Sequence, residues 1–425
     1  MEYKKLQTDI AIIGDGIAAL SLAYIAAKNN LKCIILGKNI SGATHAATGF
    51  MAPRPDYMLR DLELVRRTAY ECGRWRGIFD PQIVKPKLFL IPIGPELPES
   101  AGKFEALLDF YDKETAPRLC QLPSGYFKVN QTILEKIEPN LKRNRFDGAL
   151  ALWEFTVDAG ALLKKMREAI ANMGVEKINI KEMLGCEKMN NRISELMVMN
   201  SRGQIIRINQ PRVVVNAAGS WISDVWKVFG ISLPMKLNIG VQAKVPGRYL
   251  KSGIITFGPD KKYVVCLQKD GYVQIGPTNG TDNIGYLYSV FAGLIEGPVS
   301  EASFLKSGYR IKPFAVDTQR PVIWNHKSHG FDNFYSLHPG KMVLALMAAD
   351  ELLAKVKKDG WLDPDIFAPD CEQEYALDGT SPFKSNLKIC RLVIKSFVAL
   401  MLHYFKFLVN PALTRKCGIK QKPSN

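Results

Sequence analysis

The sequence predicts an α/β fold: a doubly wound, mainly parallel sheet, an inserted and mainly antiparallel β-sheet domain, and a C-terminal helical tail. Three observations carry this. The opening run "DIAIIGDGIAALSLAYIAA" changes from β-branched residues to Ala and Leu across Gly14-Asp15-Gly16, the pattern of strand, tight turn and helix. Further segments built from buried strands and helices begin near residues 157, 212 and 338, far apart in the chain. Residues 236–307, by contrast, read as short strands broken by turns such as "KDG" and "TNG".

Taken in order, Ile10, Ile12 and Ile13 form an apolar run fit for a strand buried on both faces, and Ile17 to Ala27 reads as the helix packed on it. Ile10 to Ala27 carries one charge, Asp15, and approaches bilayer-spanning length, but the paired glycines interrupt it. No cleavable small-residue site follows before a second strand, "LKCIILGKN", so the N-terminus is expected to stay in the mature protein. Next, "SGATHAATGFMAPRP" is rich in Gly, Ala and Thr, which lets a chain pass tightly along a flat ligand. Residues 80–149 hold Pro-rich loops and a helix expected over Lys103 to Arg118. In "VDAGALLKKMREAIANMGVEKINI", Asp158 is a candidate N-cap with Ala161, Leu162, Met166, Ile170 and Met173 on the inner face, and a strand follows. "RVVVNAAGSW" is a buried strand ending in small residues, and "HPGKMVLALMAADELLAKV" sets Pro339-Gly340 at the start of a long helix. The division that results is 1–79, 150–235 and 308–360 for the nucleotide domain, 80–149 and 236–307 for the substrate domain, and 361–425 for the tail.

Apolar and charged fractions of 47% and 23% are those of an ordinary soluble globular protein. A formal charge of +16 favours anionic partners such as phosphorylated substrates or acidic lipid headgroups. No zinc-ligand spacing, aromatic RNA-binding signature or helix-turn-helix pattern stands beside that charge, so nucleic acid is not expected. The eight cysteines form no C-x-x-C pair, which argues for reduced thiols in a cytosolic setting rather than a disulfide framework, a metal site or an iron–sulfur cluster.

Gly14, Gly16 and Ala19 match G-x-G-x-x-G/A, the turn of a Rossmann-like dinucleotide site. Gly14 permits the sharp turn, Gly16 lets a pyrophosphate approach the backbone, and Ala19 lets helix and strand pack closely. The first helical residues, Ile17 and Ala18, then offer backbone N–H groups at the positive end of the dipole. The acidic residue that normally ends the second strand is replaced by Gly37, with Lys38 next, so either ribose is held otherwise, for instance by Lys38, by Asn39 or by backbone groups, or nucleotide affinity is reduced. Nucleotide-like features scattered over most of the chain favour FAD over a nicotinamide cofactor. The expected cofactor contacts are Lys38; Thr44, His45, Ala46, Thr48 and Gly49 of the Gly/Ala loop; Asn216, Ala217, Ala218 and Gly219; and Pro339, Gly340, Lys341 and Met342. His45, His326, His329, His338 and His403 are the histidines available for proton abstraction, with His338 best placed and His45 next; each is otherwise a packed or solvated side chain.

The stretches "IAIIGDGIAALSLA", "SGATHAATG", "VDAGALL", "VVVNAAGSW", "DGYVQIGPTNG", "SGYRIKPF" and "GFDNFYSLHPGKMVLALMAADEL" together resemble the FAD-dependent oxidoreductases that include D-amino-acid oxidase, glycine oxidase and flavin-linked glycerol-3-phosphate dehydrogenase. The likeness covers roughly residues 6–358 and looks strongest to the anaerobic-type glycerol-3-phosphate dehydrogenase large subunit, although "AATGFMAP" also resembles glycine oxidase. It implies hydride transfer from a small anionic substrate to flavin with a quinone as acceptor. The alternatives are an amine oxidase and a flavin-fold partner subunit without turnover. By the same resemblance Arg310 in "SGYRIKP" anchors the substrate anion, Lys312 shares or takes over that task, Lys341 in "PGKM" contacts substrate anion and flavin, and Arg54 corresponds to a third anion-binding position. The cysteine-bearing C-terminal extension of the dehydrogenase subunit does not appear here.

Beyond "DGWLDPD", residues 386–409 place Ile394, Phe397, Val398, Met401, Phe405 and Leu408 on one helical face and Lys388, Arg391, Lys395 and Lys406 toward another. The uncharged run between Lys395 and Lys406 is ten residues, too short to span a bilayer. The stretch reads either as a basic amphipathic helix on an acidic membrane surface or as a docking helix. A cytoplasmic protein, peripheral on the inner face of the membrane, is the corresponding expectation.

Overall fold

The computed structural model describes residues 4–39, 42–51, 62–79, 82–97, 101–114, 125–233, 237–276, 283–313 and 320–363. The opening run folds as strand Ile10–Ile13 and helix Ile17–Lys28. Alternate strand residues enter different cores: Ile10 and Ile12 pack with Leu20 and Ala23 of the helix, whereas Ala11 and Ile13 share a core with Trp226 and Phe334. A strand covered on both faces needs apolar residues at every position, which is why this run lacks two-residue alternation.

Five strands run parallel in the spatial order Glu176–Met189, Cys33–Gly37, Ile10–Ile13, Val213–Asn216 and Phe334–His338. Arg192–Asn200 and Ile205–Asn209 continue one side as an antiparallel meander with Lys4–Gln7 at the edge, and Val322–Asn325 closes the other. Helices Ala159–Asn172 and Ala345–Lys358 pack beside Ile17–Lys28 in one core. Asp158 caps the first of them, its Oδ1 accepting the Ala161 N–H at 2.9 Å. Met173, expected inside, is 38% exposed because the helix ends at Asn172; Leu163 is buried instead.

The second sheet follows the order Leu305–Pro313, Leu237–Pro246, Tyr272–Gly276, Tyr263–Lys269, Gly253–Phe257, Val84–Ile93, Gly148–Val157 and Phe50–Met51, with Tyr126–Asn130 also paired to Gly148–Val157. All its pairings are antiparallel except Gly253–Phe257 with Val84–Ile93. Gly148–Val157 crosses the boundary suggested at residue 150 and joins this sheet entirely. Within 236–307 the expectation of strands alone is corrected by helix Ile284–Leu294, capped by the Asn283 side chain at the Gly285 N–H. Its aromatic and β-branched residues imitate a strand pattern, yet Leu287, Phe291 and Leu294 share one core with the sheet's Val264, Val273 and Ile275. The helix expected over Lys103 to Arg118 is present as Ala101–Glu114, and residues 115–124 lie outside the described residues. Among the described residues no helix is long and apolar enough to cross a membrane.

Two buried titratable groups make stability depend on pH with opposite signs. His326 stacks on Phe334 with ring centroids 4.7 Å apart and shares a 2.8 Å hydrogen bond with Ser336 Oγ. Burial, helped by the nearby His329, pushes its pKa down to about 4. The unfolded chain therefore binds a proton near pH 6.5 that the folded chain refuses until about pH 4, so stability is full above the first value and lost as pH falls toward the second. Glu71, beside Arg74 and Asp350, is raised by burial to about 7. Its folded carboxyl keeps a proton that the unfolded chain releases near pH 4.5, so stability is full below that value and falls as pH rises through 7. Urea unfolding of His326→Phe is expected to lose the acid-side decline, on the order of 2 kcal/mol. Glu71→Gln is expected to lose the decline between pH 4.5 and about 7. Unchanged slopes in both variants would remove these groups from the account.

Candidate functional site

The first turn ties three strand ends together. Gly14 N–H donates to Leu36 O and Ala217 N–H to Ile13 O, both at 2.8 Å. Gly14 sits at φ +123°, and a side chain there would place Cβ 2.5 Å from the Ala217 carbonyl oxygen. Gly16 differs: its backbone is extended, and the one atom within 4 Å of a Cβ would be Thr44 Oγ1 at 3.8 Å. Gly16 is also the N-cap of a helix with no side-chain cap and no acidic residue in its first turn, which suits an anion at that end. Arg167, half-buried on helix Ala159–Asn172, approaches from the side; its Nη2 donates to Asp15 O at 3.4 Å, and its Nε is buried with no partner among the described residues.

A cavity of about 650 Å³ opens here. One part of its wall is Gly14 to Ala18 with Thr44 and Arg167; another is Leu36, Lys38, Ile180, Glu182 and Met183; a third is Ala217 to Trp221. The antiparallel sheet adds Phe50, Met51, Gln242, Tyr263 and Val265, and the start of the last helix adds His338 to Val343. Both sheets therefore contribute to one site.

Most of the residues singled out in the sequence are brought together in this wall. Gly14, Gly16, Ile17, Ala18, Lys38, Thr44 and Thr48 line it, as do Ala217, Ala218, Gly219, Pro339, Gly340, Lys341 and Met342. Three others support it from behind. Ala19 is fully buried between helix and strand; Gly49 O accepts the Val157 N–H at 2.7 Å; and Asn216, fully buried, donates from Nδ2 to Ile222 O at 2.9 Å while its Oδ1 accepts the Ala218 N–H at 3.2 Å. Asn216 thus shapes the Gly219–Trp221 turn. His45 and Ala46 fall in the short helix Ala43–Ala46. Arg310 and Lys312 lie on strand Leu305–Pro313, paired in register with Gly240 and Asn238. Arg54 and the 386–409 stretch lie outside the described residues.

His338 lines the cavity, and its Nδ1 accepts the Gly340 N–H at 3.1 Å, so the neutral ring carries its proton on Nε2. His326 belongs to the aromatic core and does not line the cavity. The sequence reading missed Arg167, Gln242 and Tyr263. Gln242 is 3% exposed, and its Oε1 accepts Gln274 Nε2 at 2.8 Å. Gln274 Nε2 is also 3.3 Å from Ala47 O. Two glutamines at buried strand positions were the available signal.

Uncapped helix N–H groups, Lys38 and the orphaned Arg167 Nε suit a diphosphate, while Phe50, Met51 and Tyr263 suit a flat ring system. Fold and cavity together define an α/β protein of the dinucleotide-binding class, with an antiparallel sheet forming part of the cavity wall. The FAD-dependent oxidoreductase (DAO) family model matches residues 9–349, and the chain belongs to that family. It is therefore an enzyme, and FAD is its cofactor.

Among solved structures it is similar to glycerol-3-phosphate dehydrogenase from Bacillus halodurans complexed with FAD, with TM-score 0.62 and 16% identity over 83% of this chain and 64% of that one. The chain thus spans less than two thirds of that relative's length. Glycine oxidase from Geobacillus kaustophilus gives TM-score 0.60 and 18% identity over 83% of this chain and 95% of that one. L-α-glycerophosphate oxidase from Mycoplasma pneumoniae with FAD bound gives 0.59 and 16% over 84% and 95%. At such identities the likeness is one of fold. No curated protein matches the chain.

Proposed function

We propose that the protein is a FAD-dependent dehydrogenase of the glycerol 3-phosphate type, oxidising an alcohol carbon next to an anionic group, with a quinone as electron acceptor. The observation that carries this reading is Lys341. It lines the cavity at the N-cap of the Met342–Leu344 turn, directly before helix Ala345–Lys358. A cation at the positive end of a helix is unfavourable unless an anion shares the site. The resemblance of "SGYRIKP" adds Arg310, which pairs in register with Gly240 on the antiparallel sheet, as a second cation for the substrate anion. Bound FAD supplies the hydride acceptor.

The chain's own groups do the rest. Gln242, its carbonyl held by Gln274, presents amide N–H donors to a substrate oxygen. His338 donates from Nε2, and takes up a proton there only after giving up the Gly340 bond. The resemblance to the dehydrogenase subunit supports the quinone and a peripheral membrane location, as does the basic stretch 386–409, which lies outside the described residues.

A second reading, oxidation of a small amino acid by an amine-oxidase-like enzyme, rests on the "AATGFMAP" stretch. Anaerobic mixing separates the two. Glycerol 3-phosphate is expected to bleach the visible flavin absorbance within the turnover time. Bleaching by glycine or a D-amino acid, with glycerol 3-phosphate inert, would replace the first reading by the second.

A further inference from the structure

The carboxylate that normally ends the second parallel strand of such a fold and accepts the ribose hydroxyls is absent, because position 37 is glycine. Backbone freedom does not explain this glycine: it lies within the regular strand Cys33–Gly37 and is not among the positive-φ residues. What explains it is Asp15. A Cβ added at Gly37 would stand 2.6 Å from Asp15 Cβ and 2.9 Å from Asp15 Oδ2. The Asp15 side chain therefore occupies the ground that a strand-end acid would take.

Its placement is built rather than incidental. Lys177 Nζ donates to Asp15 Oδ2 at 2.8 Å and to Asn39 Oδ1 at 2.9 Å, bridging the turn to the residue just past the strand. Asn39 adopts a left-handed backbone, φ +58°, at that point. Asp15 lines the cavity with its side chain only 12% exposed, and its Oδ1 has no partner among the described residues. A carboxylate near a bound diphosphate is repelled by it, and the Lys177 ammonium paired with Asp15 Oδ2 offsets that repulsion.

We propose that Asp15 accepts hydrogen bonds from the adenosine ribose hydroxyls of FAD, that Lys177 holds it in position, and that Gly37 is glycine to make room for it. The acid has moved from the second strand into the first turn, and the lost side chain at one position answers the gained one at the other.

The test measures FAD affinity and is independent of catalysis. FAD release from the holoprotein is followed by flavin fluorescence for the wild type and Asp15→Asn, with FAD and with analogues lacking the adenosine 2′- or 3′-hydroxyl. A charge-assisted hydrogen bond predicts that wild type binds at least one analogue about ten- to a hundredfold more weakly than FAD, and that Asp15→Asn weakens FAD similarly while barely discriminating the analogue. Wild type that binds both analogues as tightly as FAD overturns the proposal, as does an Asp15→Asn variant that discriminates as strongly as wild type. Asp15→Gly combined with Gly37→Glu restores the acid at the strand end. It is expected to recover discrimination, whereas Gly37→Glu alone, colliding with Asp15, is expected to lose FAD. If the double variant binds FAD no better than Gly37→Glu alone, the exchange is refuted.

Discussion

Gly14→Ala is expected to yield protein without bound flavin, destabilised by about 3–5 kcal/mol. Two costs combine. An L-residue is forced to φ +123°, and its Cβ meets Ala217 O at 2.5 Å and Ala217 C at 2.8 Å. These are backbone atoms of the chain leaving the central strand Val213–Asn216, so no rotamer change relieves the contact. Relief requires parting the turn from Ala217, and with it the hydrogen bond from Ala217 N–H to Ile13 O. Both sides of that contact line the cavity, so the movement deforms the cofactor's cradle directly. Gly16→Ala is the control. Its Cβ meets nothing nearer than Thr44 Oγ1 at 3.8 Å, so the melting temperature should hold while FAD affinity falls. Thermal unfolding and the ratio of flavin to protein absorbance check both. Gly14→Ala protein that stays yellow with a wild-type melt would remove the turn from its structural role.

The two glycines show what the sequence made legible. Motif spacing identified them both, because a dinucleotide turn must bring backbone, and not side chains, to the phosphate. It could not show that one answers a neighbouring strand and the other the ligand. The parallel strands were readable for a similar reason: two-sided burial leaves a continuous apolar run, as in Ile10–Ile13 and Val213–Asn216. Residues that reach the site from elsewhere left no such trace. Arg167 lies on an amphipathic helix where one more basic residue among Lys164 and Lys165 looks like solvated surface. Gln242 stands between the core residues Val241 and Ala243, and its role becomes visible only when Gln274 on the paired strand is seen to fix its carbonyl. The absence of a ribose acid is legible at Gly37, but the close approach of Asp15 to that position is a contact that no local pattern encodes. Helix Ile284–Leu294 was hidden by composition, since Tyr, Val and Phe favour strands until a sheet offers a face to cover.

Lys341→Met is expected to lower kcat/KM on glycerol 3-phosphate about a hundredfold or more, while the loss on unphosphorylated glycerol stays within a few-fold. Truncating one member of a desolvated charge pair costs about 2–5 kcal/mol, largely because the other charge is left unpaired. A substrate without the phosphate has no such charge to strand, so the ratio of the two specificity constants isolates the anion contact from any general damage. Methionine keeps the length of the lysine stem and removes the cation from the helix start, where the dipole disfavours it. Local stability should therefore hold or rise slightly, and a melting curve with the flavin retained separates lost recognition from lost fold. Arg310→Leu should act in the same direction. If both cations hold one phosphate, the double variant should lose less than the product of the single losses, because the second truncation finds the contact already weakened. Equal losses on glycerol and glycerol 3-phosphate would instead assign Lys341 to the flavin and leave the substrate's anion to other residues.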